Sequence, residues 1–306
     1  MTPSSEFALS EAFDAHRAYL WGLCYRMTGC AADADELVQG TFVRALEAPP
    51  RDQDRPWLPW LTRVATNLAR DRLRRRKHQA YIGPWLPEPF ETDGRGTPST
   101  DAPDARYAEK ESVGFAFLVA LEALDARQRA VLLLRDVYDL STRESADILK
   151  LSEANIKVVL HRARRSMLAY DATRFADSAG QDAQTKMALV RLMTALATGD
   201  VNAMASLLHD DVVMLNDGGG EFFAARKPVR GKKAVTTFFR KTRPKTAVQA
   251  RPLEFNGMPG VFTAYEPSKT GLPPRAAIAL DVDDNGLVVR IYAVVASKKL
   301  RAVSSL

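Results

Sequence analysis

The feature that most constrains this 306-residue chain is a pair of short helices, broken once, predicted between residues 141 and 167. Ser152 is a suitable N-cap for the second helix, because a serine hydroxyl accepts a hydrogen bond from the first helical turn. Beyond Ser152, apolar residues recur at the i, i+3, i+4, i+7 spacing of one buried stripe. The members of this stripe are Ile156, Val159, Leu160, Ala163 and Met167.

The opposite face of the second helix is basic and carries Lys157, His161, Arg164 and Arg165. A helix anchored by its apolar stripe can place such a face in a major groove about 12 Å wide, where it meets phosphates and base edges. The pattern is typical of a DNA-binding helix-turn-helix. A solvated basic face on an ordinary bundle helix gives the same pattern, so a second basic element is needed to decide between them.

That second element is a helix predicted from Trp57 to Lys77. Its inner face is marked by Leu61, Val64, Ala65 and Leu68, and its outer face by Arg63, Asn67, Arg70, Asp71 and Arg74. The helix ends in four consecutive cations, which favours salt-dependent contact with phosphates. Trp57 and Trp60 offer aromatic faces for an unstacked base, and Asn67 offers an amide that can read a base edge. Core packing is the alternative for the tryptophans.

Composition agrees with a globular nucleic-acid-binding protein. The chain is 46% hydrophobic with a formal net charge of +6, and the positive excess is concentrated in the two helices. No run of 18 apolar residues and no signal-peptide pattern occurs, so we expect a cytoplasmic protein that does not contact a membrane.

The residue types that carry catalysis or bind metals show no suitable spacing. Cys24 and Cys30 lack the further ligands of a metal site, and the four histidines are scattered. No Ser/His/Asp set and no glycine-rich phosphate loop is present. We therefore expect no catalytic residues, no metal and no cofactor.

The chain divides by composition and periodicity into five segments. They are a helical bundle at 8–78, a linker rich in proline and glycine at 79–108, a helical block at 109–170, a short connection at 171–182 and a mixed α+β block at 183–301. In the last block we predict a helix at 184–208 and strands at 211–216, 222–229, 249–256, 260–266, 275–282 and 287–296. Asp283–Gly286 is a strong hairpin-turn signal.

The segment Asp35–Leu46, followed by Trp57–Arg76 and the helix-turn-helix, resembles regions 2 and 4 of extracytoplasmic-function (ECF) sigma factors of bacterial RNA polymerase. The resemblance implies two all-α sigma domains whose partners are core RNA polymerase and promoter DNA. It implies that the β′ coiled coil of the polymerase is contacted by Asp35, Glu36, Gln39 and Phe42. It implies that the minus-10 element is read by Trp60, Arg63, Asn67, Arg70, Asp71, Arg74 and Arg75. It implies that the minus-35 duplex is read by Ser152, Asn155, Lys157, His161, Arg162, Arg164 and Arg165.

The third block resembles a SnoaL-like domain, a cone-shaped α+β barrel. Pro228–Val235, leading into a helix with Phe238 and Phe239, matches the strand-to-helix step of that family. Three further short motifs resemble motifs of the ECF subgroup that carries this domain, often called SigJ-like. They are Trp85–Pro89, Asp217–Gly220 and Lys299-Leu300. Glu221 and Ser297-Lys298 depart from the subgroup pattern, which has lysine and Asn-Pro-Asp there.

We therefore expect a sigma factor regulated by its own C-terminal domain. The resemblance to the subgroup implies that no separate anti-sigma protein is required. Whether the barrel binds a small ligand is left open by the sequence. We also expect the Asp217–Gly220 loop to bind the linker string Trp85–Pro89, because successive glycines let another backbone segment approach closely. The residues of this regulatory contact are Trp85, Pro87, Glu88, Asp217, Gly218, Gly219 and Gly220.

Two alternatives from other classes remain at this stage. A DNA-tethered isomerase or cyclase would need a carboxylate base in the barrel, for which the candidates are Asp217, Glu221 and His209. An aspartate before three glycines is more typical of a turn. A plain operator-binding repressor would not need the block from 13 to 77.

Overall fold

The computed structural model describes residues 3–50, 56–77, 81–92, 105–173, 179–243, 248–266 and 271–303. The chain forms two compact units, one of Met1–Ala80 with Gly96–Thr173 and the other of Tyr81–Arg95 with Arg174–Leu306. The described linker residues 81–92 therefore belong with the C-terminal unit, although composition alone marks them as a separate connection.

The first unit begins with a bundle of three helices: α1 (Pro3–Thr28), α2 (Ala31–Glu47) and α3 (Trp57–Lys77). Leu23 from α1 and Leu61 from α3 are fully buried between the helices. The bundle is the helical block that apolar periodicity predicts for this part of the chain.

Four further α-helices follow among the described residues of the first unit, and the last two form the predicted helix-turn-helix. They are α4 (Phe115–Leu121), α5 (Ala126–Leu132), α6 (Thr142–Leu149) and α7 (Glu153–Asp171). A π-helical turn, Leu133–Val137, follows α5 directly. Helix α6 begins with a reciprocal capping box between Ser141 and Glu144, and it ends at Lys150 with a left-handed φ of 54°. The predicted break between two short helices is thus confirmed.

The second unit packs three helices on a six-stranded sheet. The helices are α8 (Ala179–Thr198), α9 (Val201–Leu207) and α10 (Lys232–Thr242). The strands are β1 (Leu208–Asp217), β2 (Val229–Arg230), β3 (Gln249–Phe255), β4 (Met258–Ala264), β5 (Arg275–Val282) and β6 (Val288–Val294). Their order is β2-β1-β6-β5-β4-β3, and β1 pairs with β6 in parallel while the other pairs are antiparallel. The core between helices and sheet includes Leu192, Val212, Val235, Leu280 and Ile291.

Two predicted elements of this unit differ from the structure. The single helix predicted at 184–208 is divided at Gly199, whose φ is 75°, and Asp200 caps α9 by accepting from Asn202 N and Ala203 N. The strand predicted at 222–229 is wrong, since only Val229–Arg230 pairs in the sheet. Phe223 N donates to Gly271 O outside the ladder, and a proline just before β2 has no amide hydrogen to donate.

Candidate nucleic-acid interface and linker-binding site

Helix α7 has one buried and one exposed face, as its sequence pattern predicts. All five residues of the apolar stripe are buried, and Ser152 Oγ accepts a hydrogen bond from Asn155 N at 3.2 Å. The exposed face displays Lys157, His161, Arg162 and Arg165. It also displays Val158, which is 50% exposed and which charge patterning did not single out. An apolar side chain among cations on such a face can contact a thymine methyl group.

Arg164, which is predicted to contact DNA, also makes an ion pair within the protein. Its Nε donates to Asp136 Oδ2 at 2.9 Å and its Nη2 donates to Asp136 Oδ1 at 2.6 Å. The Asp136 side chain is only 1% exposed, and this hydrogen bonding raises the pKa of Arg164 above its usual value. The guanidinium ties α7 to the π-helical turn, while 43% of the Arg164 side chain stays exposed.

The outer face of α3 is polar along its whole length. Asn67, Asp71, Arg74 and Arg75 are exposed, while Arg63 and Arg70 are half-buried. Arg70 Nη1 donates to Asn67 Oδ1 at 3.4 Å, and burial lowers the pKa of Arg70. The rings of Trp57 and Trp60 meet edge to face with centroids 6.4 Å apart, and both side chains are half-buried, which leaves part of each ring open to solvent.

Two other arginines of α3 are engaged within the protein. Arg72 donates to Asp33 Oδ1 at 2.6 Å and also to the Glu36 carboxylate, which raises the pKa of Arg72. Arg76 donates to Thr28 O at 2.6 Å and to both carboxylate oxygens of Glu122. Of the predicted run of four cations, Arg74 and Arg75 therefore face solvent, Arg76 is committed to the protein, and the Lys77 side chain lies outside the described residues.

A cleft of about 710 Å³ within the first unit brings the two predicted DNA-reading helices together. Leu73, Arg74 and Arg76 of α3 line it from one side. Asn155, Val158 and Arg162 of α7 line it from another. The parts of both helices that are predicted to meet DNA thus face a shared space.

Buried arginines join the three-helix bundle to the later helices. Arg26 of α1 is fully buried, and its Nε donates to Ser112 Oγ at 2.8 Å while its Nη1 donates to Tyr138 OH at 3.3 Å. Arg129 of α5 is 3% exposed and donates to Met27 O at 2.7 Å. Burying a guanidinium is costly unless it is hydrogen-bonded, so these contacts fix the packing of the two groups of helices.

The exposed face of α2 contains most of the predicted polymerase contacts. Asp35, Glu36 and Gln39 are exposed, and Asp35 Oδ1 accepts a hydrogen bond from Trp21 Nε1 at 3.0 Å. Phe42 differs because it is 6% exposed and packs edge to face on Phe13, so its ring belongs to the bundle core. The large apolar side chains that α2 exposes are Val43 and Leu46, at 48% and 49%.

The second unit contains a site where Asp217 holds the linker. The Asp217 carboxylate is fully buried, and it accepts hydrogen bonds from Leu86 N at 2.8 Å, Gly219 N at 3.1 Å and the Tyr81 hydroxyl. Its backbone oxygen accepts from Val295 N and Ala296 N. Of the linker string, Leu86 is fully buried and Trp85 only half-buried, so the deepest apolar contact comes from leucine and not from tryptophan.

Lys299 completes this site from the C-terminal end of the chain. Its Nζ lies 2.7 Å from Asp217 Oδ2 and donates to Leu86 O as well. The same ammonium lies 4.5 Å from the centroid of the Trp85 ring and 4.8 Å from that of Tyr81, within the range of cation–π attraction. Sequence reasoning noted Lys299 only as part of a subgroup signature and did not assign it a contact.

A second attachment fixes the linker to the far edge of the sheet. Thr92 N donates to Glu254 O at 3.0 Å, and Asn256 N donates to Phe90 O at 3.1 Å. Asn256 also accepts from Phe90 N through its side chain at 3.2 Å. The linker thereby pairs with the end of β3, an edge strand that would otherwise expose unpaired backbone groups.

The candidate catalytic residues do not meet in one place. Asp217 is occupied by the linker, Glu221 accepts from Ser297 N at 3.1 Å, and His209 Nδ1 accepts from Asp211 N at 3.1 Å. None of the three is among the described residues that line the cavity of about 660 Å³ beside Met214, Phe239 and Ile278.

The part of the chain that the structure describes contains no group of three or more histidine, cysteine, aspartate or glutamate side chains arranged to hold a metal. Within the same residues, no helix combines the length and apolarity needed to cross a bilayer.

Three family models match separate parts of the chain. The sigma-70 region 2 family matches residues 12–79, the sigma-70 region 4 family matches 115–167, and the SnoaL-like domain family matches 189–291. ECF RNA polymerase sigma factor SigJ of Mycobacterium tuberculosis is 36% identical over 233 residues, which is 74% of this chain and 70% of that protein. Sigma factor SigG of the same species is 35% identical over 66% of this chain and 60% of its own length.

A solved structure matches over nearly the whole length. The crystal structure of the Mycobacterium tuberculosis ECF sigma factor SigJ aligns with a TM-score of 0.70 at 29% identity, covering 96% of this chain and 98% of that chain. A helical bundle with a basic helix, joined to a helix-turn-helix, defines a subunit that directs RNA polymerase to promoters. The chain belongs to the ECF RNA polymerase sigma factors, in the form that carries a SnoaL-like C-terminal domain.

Proposed function

We propose that this sigma factor binds core polymerase through α2, reads promoter DNA through α3 and α7, and is controlled by its C-terminal domain through the linker. The observation that supports this control is the buried Asp217 carboxylate. It accepts hydrogen bonds from Leu86 N of the linker and from Lys299 near the C-terminal end of the chain. A buried carboxylate is stable only when such donors surround it, so releasing the linker has a substantial free-energy cost.

The polymerase contact uses the exposed face of α2. Asp35, Glu36 and Gln39 give this face an acidic character suited to a basic coiled coil of β′. Val43 and Leu46 extend the same face with apolar surface, which supplies the buried area that charge alone does not provide. Phe42 is left out of the proposed contact, since its ring packs inside the bundle.

The promoter contacts use the outer faces of α3 and α7. On α3, the half-exposed Trp60 is positioned to stack an unpaired base of the minus-10 element, and the proposed polar contacts are Arg63, Asn67, Arg70, Asp71, Arg74 and Arg75. On α7, the proposed minus-35 contacts are Ser152, Asn155, Lys157, His161, Arg162 and Arg165, with Val158 added to the set. Arg164 positions α7 through Asp136 and is not a DNA contact in this proposal.

The shared cleft implies that the first unit opens before it occupies a promoter. The element names place the two sites about 25 base pairs apart, which at roughly 3.4 Å per pair is on the order of 85 Å of duplex. Residues of α3 and α7 that line one cleft cannot reach both elements at once. We infer that the arrangement described here is a closed state and that polymerase binding separates the two groups of helices.

Control by the C-terminal domain takes the place of a separate anti-sigma protein in this proposal. The linker is held at Asp217 and again at Asn256, which fixes both ends of residues 86–90. The chain between the two sigma domains thereby loses the freedom it needs when those domains move apart. A domain in the same chain holds the linker at high effective concentration, so weak contacts suffice.

The test is run-off transcription by core polymerase with Asp217→Asn, using Asp211→Asn on the exposed part of the same strand as the matched control. The amide removes the ion pair with Lys299 and one acceptor for the linker, so we expect a severalfold change in promoter-dependent transcription. The affinity for a minus-35 duplex should stay as in wild type, because α7 is untouched. Equal transcription by Asp217→Asn, Asp211→Asn and wild type would exclude control through this contact.

A second pair of variants tests the same contact from both sides. Trp85→Ala removes the ring over Lys299, and Gly219→Val strains a residue with φ of 56° whose added Cβ would lie 3.2 Å from Ala296 Cβ. Both should change transcription in the direction of Asp217→Asn. Failure of a crosslinker at position 85 to capture residues 216–221 would count against the contact itself.

A further inference from the structure

The C-terminal unit contains a third concentration of positive charge, besides those of α3 and α7. Residues 222–253 include ten lysines and arginines and no aspartate or glutamate. This excess is larger than the formal net charge of +6 of the whole chain, so the rest of the chain is net negative. A surface that only has to stay soluble mixes charges of both signs, whereas a segment of one sign indicates an anionic partner.

The described part of this segment displays most of its cations to solvent. The exposed members are Arg226, Lys227, Arg230, Lys233, Arg240, Lys241 and Arg243. Arg243 also donates to Ala197 O at the end of α8. Lys232 is half-buried, and its Nζ lies 2.8 Å from Asp210 Oδ1. The positive charge is therefore available at the surface and is not consumed by carboxylates of the same segment.

A groove of about 780 Å³ lies among these cations, beside β2 and α10. Its cations are Arg230, Lys232, Lys233 and Lys241. The aromatic side chains Phe223 and Phe238 line the same groove. Among the described residues of its wall, Asp210 alone carries negative charge, and Lys232 pairs with it. The groove thus combines net positive charge with two aromatic rings.

Helix α10 presents one face to the groove and another to the core. The groove face repeats at the i, i+3, i+4, i+7 spacing of one helical stripe. Its members are Ala234, Thr237, Phe238 and Lys241. Val235 and Phe239 belong to the core between the helices and the sheet. This packing fixes the helix, so the cation and the ring on its outer face keep a defined place in the groove.

Phe223 is 61% exposed, although its side chain is wholly apolar. Its backbone is held in place, since Phe223 N donates to Gly271 O at 2.6 Å. An exposed ring beside cations provides a platform on which a nucleic-acid base can stack. In a duplex the neighbouring bases already cover both faces of each base, so a platform of this kind favours a single strand.

We propose that this groove binds single-stranded DNA, with phosphates on Arg230, Lys233 and Lys241 and one base stacked on Phe223. A positively charged groove with an aromatic platform is the combination that holds single strands without reading their sequence. An acidic protein partner would satisfy the cations and leave the ring without a base. Promoter opening, which a sigma factor serves, produces DNA of this form.

The probe is fluorescently labelled oligo(dT) of about 12 nucleotides, a length within the site size of such grooves. The full chain is titrated into it at several salt concentrations, and anisotropy is measured. Lys233→Ala with Lys241→Ala should reduce the slope of log affinity against log salt by about 1.4, because each phosphate contact on a single strand contributes roughly 0.7. The matched control, Lys186→Ala with Arg191→Ala at exposed positions of α8, should keep the wild-type slope.

Substitutions of Phe223 test the base contact separately from the charge. Phe223→Leu stays apolar but loses the ring, so its affinity for oligo(dT) should fall by at least about fivefold. Phe223→Tyr keeps the ring and should bind as wild type does. Neither variant should alter the affinity for a duplex of the same length. Thermal unfolding of both should match wild type, since the side chain is exposed.

Each part of the proposal has an outcome that overturns it. Equal slopes for the α10 variant and its control would exclude the phosphate contacts, and equal oligo(dT) binding by Phe223→Leu and wild type would exclude the base contact. A loss of duplex affinity as large as that for oligo(dT) would assign the groove to duplex DNA. Competition by polyglutamate that equals competition by unlabelled oligo(dT) would assign it to an acidic protein. Failure of the DNA contacts proposed for α3 and α7 would affect all these variants alike and leave their differences in place, because no substitution touches those helices.

Discussion

At the scale of single residues, two aspartates with nearly complete burial organise this protein in different ways. Asp136 receives both bonds from Arg164 and fixes α7 on its neighbours. Asp217 receives bonds from the linker and from Lys299. Each carboxylate is stable in its buried position because charged or backbone donors replace the water that it lost. Removing Arg164 would take both of these donors from Asp136, whereas removing Lys299 would leave Asp217 with neutral donors.

The first prediction separates Arg164 from Arg165. Arg164→Ala should lower the free energy of unfolding by about 2–3 kcal/mol, because the buried Asp136 carboxylate loses its partner. The loss is no larger because the Arg164 guanidinium is partly exposed to water. Arg165→Ala should change stability by less than about 0.5 kcal/mol. Urea denaturation followed by circular dichroism measures both.

The same two variants differ in DNA binding. Arg165→Ala should weaken binding to a minus-35 duplex and reduce the slope of log affinity against log salt by about 1, as expected for one lost phosphate contact. A stable, wild-type-like Arg164→Ala protein would contradict the assigned role of Asp136. An unchanged salt slope in Arg165→Ala would mean that this arginine does not contact phosphate.

At the scale of elements, α2, α3 and α7 each combine a buried packing face with an exposed face that is proposed to bind polymerase or DNA. This exposed face is called the working face below. Helix α2 buries Leu37 and Phe42 and exposes Asp35 and Glu36. The working face makes few internal contacts, so it can change without loss of the fold. The linker differs from these helices because it has no regular secondary structure of its own. Hydrogen bonds to Asp217 and to the end of β3 fix it.

The second prediction concerns the working face of α2. Asp35→Lys combined with Glu36→Lys should greatly reduce capture of core polymerase, because cations then oppose a basic partner at a cost of several kcal/mol. The free energy of unfolding should change by no more than about 1 kcal/mol, since Glu36 pairs with Arg72 at the surface. Pull-down of core enzyme measures the first effect and thermal unfolding the second.

The matched control for this prediction is Glu11→Lys with Asp14→Lys, which places the same charge on the exposed face of α1. Capture of polymerase by the control should equal that of wild type. If the α2 variant is folded and captures as much core enzyme as the control, α2 is not the polymerase contact.

At the scale of the whole molecule, the sigma domains and the C-terminal domain are each compact units with their own cores. Within the first unit, Arg26, Arg76 and Arg129 connect helices that are distant in sequence. Glu122 accepts from both Arg76 and Arg129 at the rim of the cleft. It is therefore the residue at which the closed state can be weakened without altering a predicted DNA-reading side chain.

The third prediction is that Glu122→Lys opens the first unit. A third cation beside Arg76 and Arg129 repels both, so the separated state should become more populated. We expect a larger radius of gyration by small-angle X-ray scattering and tighter binding to promoter DNA by the free protein. Asp147→Lys, which adds the same charge at an exposed position of α6, is the control. A DNA affinity no higher than that of the control would argue against a closed state held at Glu122.

Local sequence determined the elements whose signals are short-range. The helix-turn-helix, its Ser152 cap and the buried stripe of α7 follow from spacing and capping chemistry, and so does the turn at Asp283–Gly286. The outer face of α3 followed from the same periodicity. These features depend on residues within a few positions of one another, and a single sequence contains that information.

Tertiary structure alone decided the roles that depend on distant partners. Periodicity placed Arg164 on the basic face and could not show that Asp136, 28 residues earlier, would take its guanidinium. Phe42 matched a family contact, but Phe13 places its ring in the core. Lys299 meets Asp217 from 82 residues away. In each case the outcome was set by which buried charge or ring needed a partner, and the folded chain supplied that partner from a part of the sequence that no local pattern connects to it.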